Sequence, residues 1–498
     1  IMFLHSQQPE IAHSFKHRIV QEVAYNLMLF SQRRQLHRMV AAWYEKTYEN
    51  SLDTFSTLLA HHWHLAEEAE KAIAYSEKAG QQAAANDANI EAIRFYNMAL
   101  AWLEKQPETP ERHQHELHLR LALGAPLTAA KGYGAAELVQ NFGRARELSQ
   151  QLGTTAELFP VLWGMYAAHI GQVDLATAQT LALEMLTLAE NSGEAVFLLH
   201  AYHALGAVFL YKGELVAAQK YLEQGFSLYD GSLHANEGRV YGQDPGVSCL
   251  SLLATVLWMR GECNRAIQIS EQALTMAEAI AQPFTLILTM VYKALLHQYR
   301  AEIEPTLALA ARIADTSEKL KFVFWMPFSN FLQGWGQFER GDRVNGMAQV
   351  EAGLEAYMGL GQRLNQPDLL SRAALLFEQS GQLDRGWPLL QQAIDHAEQT
   401  GDRLWLAELY RLQAEFQWKT AAAPAAVIDS LQRARTIAQQ QDAQSIKRRI
   451  LISASHFWYD QGNIDKARSH FHQLDLDNPE FNPGDRPKAE ALRLKLTQ

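Results

Sequence analysis

Leu252-Leu253-Ala254-Thr255-Val256-Leu257-Trp258-Met259-Arg260-Gly261-Glu262-Cys263-Asn264-Arg265-Ala266 is the stretch that decides how this chain folds. An apolar run of helical composition ends at Arg260, one glycine follows, and a second helix-forming run starts at once. The same junction recurs at Ile170-Gly171-Gln172, Lys212-Gly213-Glu214, Arg340-Gly341-Asp342, Ser380-Gly381-Gln382 and Gln461-Gly462-Asn463. In chain order the six glycines lie 42, 48, 80, 40 and 81 residues apart, so two junctions are missing, and Ala301 and Ala421 stand in their places. Units of roughly 40 residues, about eight in all, are therefore expected over 156–475.

Small residues keep the same beat on both sides of each junction. Gly164, Gly206, Ala254, Ala294, Gly334, Ala374, Ala414 and Ser455 precede the junctions at one spacing, and Ala176, Ala218, Ala266, Thr306, Gly346, Gly386, Ala426 and Ala467 follow at another. Gly225, Ala273, Gly353 and Ala393 stand one step further on. Side chains this small let two antiparallel helices approach closely, and glycine at the junction supplies the positive φ of a helix C-terminus. An ordinary helical bundle does not require one beat held over 300 residues, whereas a stack of helix pairs does.

Composition removes several classes of answer. The chain has 498 residues, 48% hydrophobic and 20% charged, enough to bury a large core and too apolar for disorder. Its net charge of −11 disfavours nucleic acid as a partner. Cys249 and Cys263 are the only cysteines, too few for a disulfide framework or a thiolate zinc site. No apolar stretch reaches the ~18 unbroken residues of a membrane span, and no signal peptide is apparent, so no membrane association and a cytoplasmic location are expected. A chain beginning with isoleucine is expected to be a piece of a longer one.

The helix pairs with their small residues resemble the tetratricopeptide repeat (TPR), here lengthened from the usual ~34 residues by about a turn per helix. The fold expected is all-α, a TPR-like helical-repeat superhelix over 156–475, preceded by irregular helix pairs over 51–155 with Leu58, Leu59, Ile73, Ile93 and Leu100 in their core. Asp87-Ala-Asn-Ile-Glu91 is expected to give the last of these helices a capped start. Residues 476–498 read as a proline-broken linker and a capping helix. Over residues 1–50, short extended runs at Met2–His5 and Ile11–Phe15 flank Ser6-Gln-Gln-Pro9, and Phe15, Ile19, Val23, Leu27 and Phe30 form one helical face. A hairpin followed by a helix is what the end of a winged-helix domain would leave.

Phe15-Lys-His-Arg-Ile-Val-Gln-Glu-Val-Ala-Tyr25 with Arg33-Arg-Gln-Leu-His-Arg38 resembles the junction between ATPase and repeats in bacterial signal-transduction ATPases of the STAND class. Lys131-Gly-Tyr-Gly-Ala-Ala-Glu137 with Arg144-Ala-Arg-Glu-Leu148, and Tyr241-Gly-Gln-Asp-Pro-Gly-Val247, are similar to the TPR half of that family. In the second string Asp244 reads as a helix cap with Pro245 in the first turn. The resemblance implies an ATPase upstream, in many members preceded by a nucleotide cyclase or kinase domain. The family's nucleotide-binding motifs have no matching positions in this sequence.

Catalytic constellations are missing. There is no phosphate-cradling Gly-x4-Gly-Lys-Ser/Thr loop and no Gly-x-Ser-x-Gly elbow. His113, His115 and His118 around Glu116 miss the spacing of a zinc-protease motif, and His61, His62 and His64 beside Trp63 read as packing or capping. Cys263 reads as a small buried filler. No cofactor, no metal site and no enzymatic activity are expected of this chain.

Binding is what remains. Counting back from each junction, the inward side of the first helix of each pair presents His203, Tyr211, Trp258, Tyr299, Trp335, Phe338, Arg411, Trp418 and Tyr459, with His169, His200 and His456 beside them. Aromatic and arginine side chains are the types that anchor interfaces. The function expected is a non-catalytic TPR sensor or scaffold of a signalling ATPase. It would bind a protein or peptide, or a small ligand, on its concave face and regulate the upstream domains of its own chain. The alternative is a free-standing TPR adaptor for complex assembly.

Overall fold

The computed structural model describes every residue except 1, 7–11, 16, 154–156, 235–236 and 498, and of residues 2–6 and 12–15 it describes the backbone. The chain divides into two compact units, Ile1–Leu123 and Gly124–Gln498.

The first unit opens on an antiparallel hairpin of β1 (Met2–Ser6) and β2 (Ala12–Phe15), with Met2 opposite Phe15. The turn expected at Ser6–Pro9 falls mostly outside the described residues. Helices α1 (Arg18–Asn26), α2 (Phe30–Thr47), α3 (Ser56–Leu65), α4 (Ala69–Ala85) and α5 (Asn89–Leu103) follow, and α6 (Pro110–Lys131) carries the chain into the second unit. Leu59, Trp63 and Ala72 form a core with Ala41, while Ala60, Ala79 and Phe95 form another. Leu59 and Ile73 are buried as expected, whereas Leu58, Ile93 and Leu100 are only half-buried. The residue directly before α5 is Ala88, which makes no side-chain cap, and Asp87 before it takes a left-handed φ of 56°. The apolar face expected on the first helix exists, but Ile19, Val23, Leu27 and Phe30 are exposed.

Among the described residues, the second unit contains α7 (Ala136–Leu152) and then eight helix pairs. They are α8 (Leu158–Gly171) with α9 (Leu175–Ser192), α10 (Ala195–Tyr211) with α11 (Leu215–Ser227), and, after the short α12 (Glu237–Tyr241), α13 (Pro245–Met259) with α14 (Cys263–Ile280). Then come α15 (Pro283–Tyr299) with α16 (Ile303–Leu320), α17 (Met326–Glu339) with α18 (Arg343–Gly359), and α19 (Gln366–Gln379) with α20 (Leu383–Thr400). The last two pairs are α21 (Leu406–Lys419) with α22 (Pro424–Gln441), and α23 (Gln444–Asp460) with α24 (Ile464–Phe471); α25 (Arg486–Thr497) lays Leu492 and Leu496 against Ala467 of α24. The fold is an all-α, TPR-like helical repeat.

Local chemistry explains the turns. Gly213, Gly261, Gly341, Gly381 and Gly462 have φ between 71° and 102°, and Ala301 and Ala421 take φ of 57° and 54° in the two glycine-less junctions. The backbone therefore keeps its turn where the sequence lacks the residue that makes it easy. Gly171 departs from the pattern. It remains helical, and Val173 supplies the positive φ of 62°. Glycine is needed at 171 because a Cβ there would strike the backbone of Tyr133. Asp244 caps α13 as expected, its Oδ1 accepting from the Val247 N–H at 2.8 Å.

The small residues pack backbone against backbone. A Cβ on Gly334 would lie 2.6 Å from the Val350 nitrogen, one on Gly346 2.5 Å from the Phe338 nitrogen, and one on Gly353 2.7 Å from the Phe331 nitrogen. These three glycines zip α17 to α18.

Candidate functional site on the inner face

In α13 every residue from Pro245 to Met259 is buried. A helix apolar on all sides must be covered on all sides, and α13 is covered partly by helices far along the chain. The Arg260 guanidinium donates from Nη2 to Asp442 Oδ2 at 2.8 Å, and Ser445 Oγ donates to the Trp258 carbonyl at 2.6 Å. One repeat earlier, the Arg403 and Leu404 N–H groups both donate to the Tyr211 carbonyl, at 2.8 and 3.1 Å. The later repeats thus return over the inner ends of the earlier first helices.

Where they meet, an aromatic and charged cluster is buried. Trp258, Tyr299 and Trp405 form a triangle of rings with centroids 4.8–6.0 Å apart. The Arg372 guanidinium lies 4.3 Å from the Tyr299 ring centroid and that of Arg449 lies 5.1 Å from Trp258. Tyr299 donates its hydroxyl to Asp368 at 3.0 Å, and Arg372 Nε donates to the same carboxylate at 2.8 Å. Arg449 donates to Asp485, Glu408 and the Tyr299 carbonyl, at 2.9, 3.2 and 3.0 Å. Burial pushes Asp368 up despite Arg372 and Tyr299. Burial also raises Glu408, but Arg411 and Arg449 outweigh it and hold that carboxyl at about 2.

A second region lies around Tyr211. Its hydroxyl pairs with that of Tyr292 at 2.9 Å, and Tyr133, Trp163, Tyr166 and His203 line a cavity of about 50 Å³ beside them. That is the scale of a few water molecules. Burial, with help from His200, lowers His203 to about 3, so it is neutral, and neither its Nδ1 nor the Ser248 Oγ has a partner in the protein.

The nine expected inward residues fall into different settings. Trp258 and Tyr299 share the first cluster; Tyr211 and His203 border the cavity. Trp335 and Phe338 are buried in α17. Arg411 is spoken for: two of its nitrogens donate to Glu408 at 2.8 Å and a third to Glu415 and Ser453. Trp418 and Tyr459 remain half-buried, the first edge-on to Phe457 and the second beneath Lys495. Counting back from the junctions missed Trp405, which precedes its helix, and Arg449, Asp368 and Asn482, whose contacts come from distant repeats. Among the described residues, no group of three or more His, Cys, Asp or Glu is placed to hold a metal ion, and no helix is long and apolar enough to cross a membrane.

No protein-family profile matches the chain. A protein of Rhizobium meliloti (strain 1021), described as uncharacterized, is 27% identical over 452 residues, covering 88% of this chain and 43% of its own length. The chain therefore spans less than half of that relative. Among solved structures, a Rap protein complexed with competence and sporulation factor superimposes with a TM-score of 0.52 at 10% identity, covering 78% of this chain and all of that one. This likeness is one of fold. NprR in complex with its cognate peptide NprX gives a TM-score of 0.49 at 14% identity over 74% of this chain and 98% of that one. A STAND protein with a tetratricopeptide repeat sensor from Pyrococcus horikoshii gives 0.40 at 12% identity over 70% of this chain and 52% of that one.

Proposed function

We propose that the chain is the binding part of a larger bacterial signalling protein, a TPR-like sensor that takes a protein or peptide segment on its inner face. The observation that carries this reading is the aromatic content of the inward positions, where Trp418 and Tyr459 stay half-buried while Trp258 and Tyr299 join a buried cluster with Trp405. Tryptophan, tyrosine and arginine are the side-chain types that concentrate binding energy at interfaces. The Rap protein of the same fold is complexed with competence and sporulation factor, which supports a bound partner on a repeat scaffold of this kind. Regulation of an upstream ATPase is the finer part of the proposal. It rests on the STAND-like strings, and on the apolar face of Ile19, Val23, Leu27 and Phe30, which offers an upstream winged-helix body a surface to rest on. In this reading the chain acts by binding and any catalysis lies elsewhere in the full protein.

The test is capture by the chain, followed by calorimetry of the captured segment as a synthetic peptide on wild type, Trp418→Ala and Tyr459→Ala. Loss of about 2 kcal/mol, roughly thirty-fold in affinity, in at least one variant with an unchanged melt supports inner-face binding. Unaltered affinity in both refutes it.

A further inference from the structure

The stretch between α24 and α25 has no regular secondary structure, yet it buries Leu476, Phe481 and Asn482. Residues 476–485 read Leu-Asp-Asn-Pro-Glu-Phe-Asn-Pro-Gly-Asp. Pro479 and Pro483 have no N–H to give, so side chains and carbonyls do much of the holding. Asn482 is 1% exposed, and its carboxamide is read from both ends. Its Oδ1 accepts from Trp258 Nε1 at 3.3 Å, and its Nδ2 donates to the Tyr299 carbonyl at 3.1 Å. Three positions on, Asp485 accepts from Arg449 Nε through both oxygens, at 3.0 and 2.9 Å. Upstream, the Glu480 carboxylate accepts from the Asn264 N–H in the first turn of α14 at 2.6 Å, and the Pro479 carbonyl accepts from Asn264 Nδ2 at 3.0 Å. Phe481 is buried beside Leu451 and Ile452 with the Arg448 and Arg486 guanidiniums against its ring.

Apart from Arg486, which belongs to α25 and follows the strap, these contacts have the form of a peptide seated on a receptor. An aromatic anchor, a carboxamide bonded as donor and acceptor, and two carboxylates meet an arginine-lined, tryptophan-floored surface built from α13, α14, α15 and α23. We propose that residues 476–485 are an internal ligand. They occupy a peptide-binding surface of the inner face, and an external acidic segment carrying Asn-x-x-Asp displaces them to give the open form. The inference deepens the proposed function and rests on its reading of the inner face. The chemistry of the strap names the partner: an extended peptide with a carboxamide for Trp258 and Tyr299 and a carboxylate for Arg449. The strap lies between two helices rather than within one, so it can leave without breaking a helix pair, and differential affinity of the partner for the open form sets the switch.

The experiment uses the full chain, wild type and Asn482→Ala/Asp485→Ala, with a fluorescein-labelled synthetic peptide of residues 476–486 as probe. A tethered strap competes at an effective concentration near the millimolar range, so the double variant should bind the peptide about tenfold or more tighter than wild type. A peptide with alanine at the two positions should bind neither protein. In hydrogen exchange of the wild type, strap amides should exchange about a hundredfold or more faster than those of α13, reporting local opening. Equal peptide binding by both proteins, or by neither, overturns the proposal, as does strap protection equal to that of α13. Should the double variant fail to fold, the wild-type exchange decides alone. A strap that never opens while Trp418→Ala or Tyr459→Ala still weakens capture would end this inference and leave the proposed function standing.

Discussion

Replacing Gly346 by alanine tests the helix-pair architecture at its tightest point. The added Cβ would lie 2.5 Å from the Phe338 nitrogen and 2.7 Å from the Gly334 oxygen, both backbone atoms held in α17. No flexible side chain can give way, so the helices must separate. Overpacking costs about 1–3 kcal/mol, and a clash with backbone belongs at the upper end. Alanine returns ~1 kcal/mol through its better helix propensity. The net expectation is a loss of about 2 kcal/mol. Gly143 in α7 is the control, because a Cβ there meets nothing within 4 Å; Gly143→Ala should gain up to ~1 kcal/mol. Urea unfolding followed by helical circular dichroism measures both, and hydrogen exchange of α17 and α18 localises the loss if the repeats unfold in parts. Two variants of the same chemistry with opposite signs would confirm the close approach. Gly346→Ala equal to or more stable than wild type would refute it.

Other outcomes follow from single sites. Ala421→Gly relieves a left-handed alanine at an exposed junction and should stabilise by about 0.5–1 kcal/mol in the same unfolding assay. Arg411→Ala leaves buried Glu408 short of a guanidinium and should cost about 3–5 kcal/mol, so any loss of binding it causes should track unfolded protein in a melt. In the first unit His62 Nδ1 sits 2.8 Å from His37 Nδ1, and burial, reinforced by His37 and His61, lowers His62 to about 4. The folded state therefore keeps this imidazole neutral while the unfolded chain protonates it below about 6.5. Its contribution to stability is full above that pH and is lost as pH falls toward 4. NMR titration should place the His62 midpoint near 4, and His62→Leu should flatten the fall in melting temperature of the first unit over that window.

Much of the fold is legible because one physical requirement repeats: a left-handed turn, then a close helix approach. The beat is strong enough that Ala301 and Ala421 could be placed at junctions without their glycines, and both adopt the turn. Gly171 misled for a tertiary reason, since its missing side chain makes room for Tyr133 while Val173 turns the chain. The second set of turns is only partly marked: Gly193 and Gly401 close α9 and α20, whereas Ala281, Lys321 and Asp442 take left-handed φ with no glycine to mark them. The inner face was legible only in outline. Trp258 and Tyr299 follow from counting within a repeat, but Asn482, Arg449 and Trp405 reach them from more than a hundred positions further along the chain, and no local period records that. One signal was present: α13 is apolar on every side, which a helix with a wet concave face would not be. Arg411 shows the converse, an arginine at an inward position whose partners, Glu408 and Glu415, lie on its own helix.

The return of the later repeats onto the earlier ones carries the whole account, and one substitution tests it. The Cys263 Sγ lies 3.8 Å from the Ser445 Oγ, although the two residues are 182 positions apart. Both thiol-bearing positions are buried, and Cys249, the remaining cysteine, is buried as well. In Ser445→Cys under mild oxidation, the account predicts an intramolecular disulfide between positions 263 and 445, seen as one cross-linked peptide in a non-reducing digest. Recovery of both positions as separately alkylated thiols after oxidation of the folded protein would contradict it.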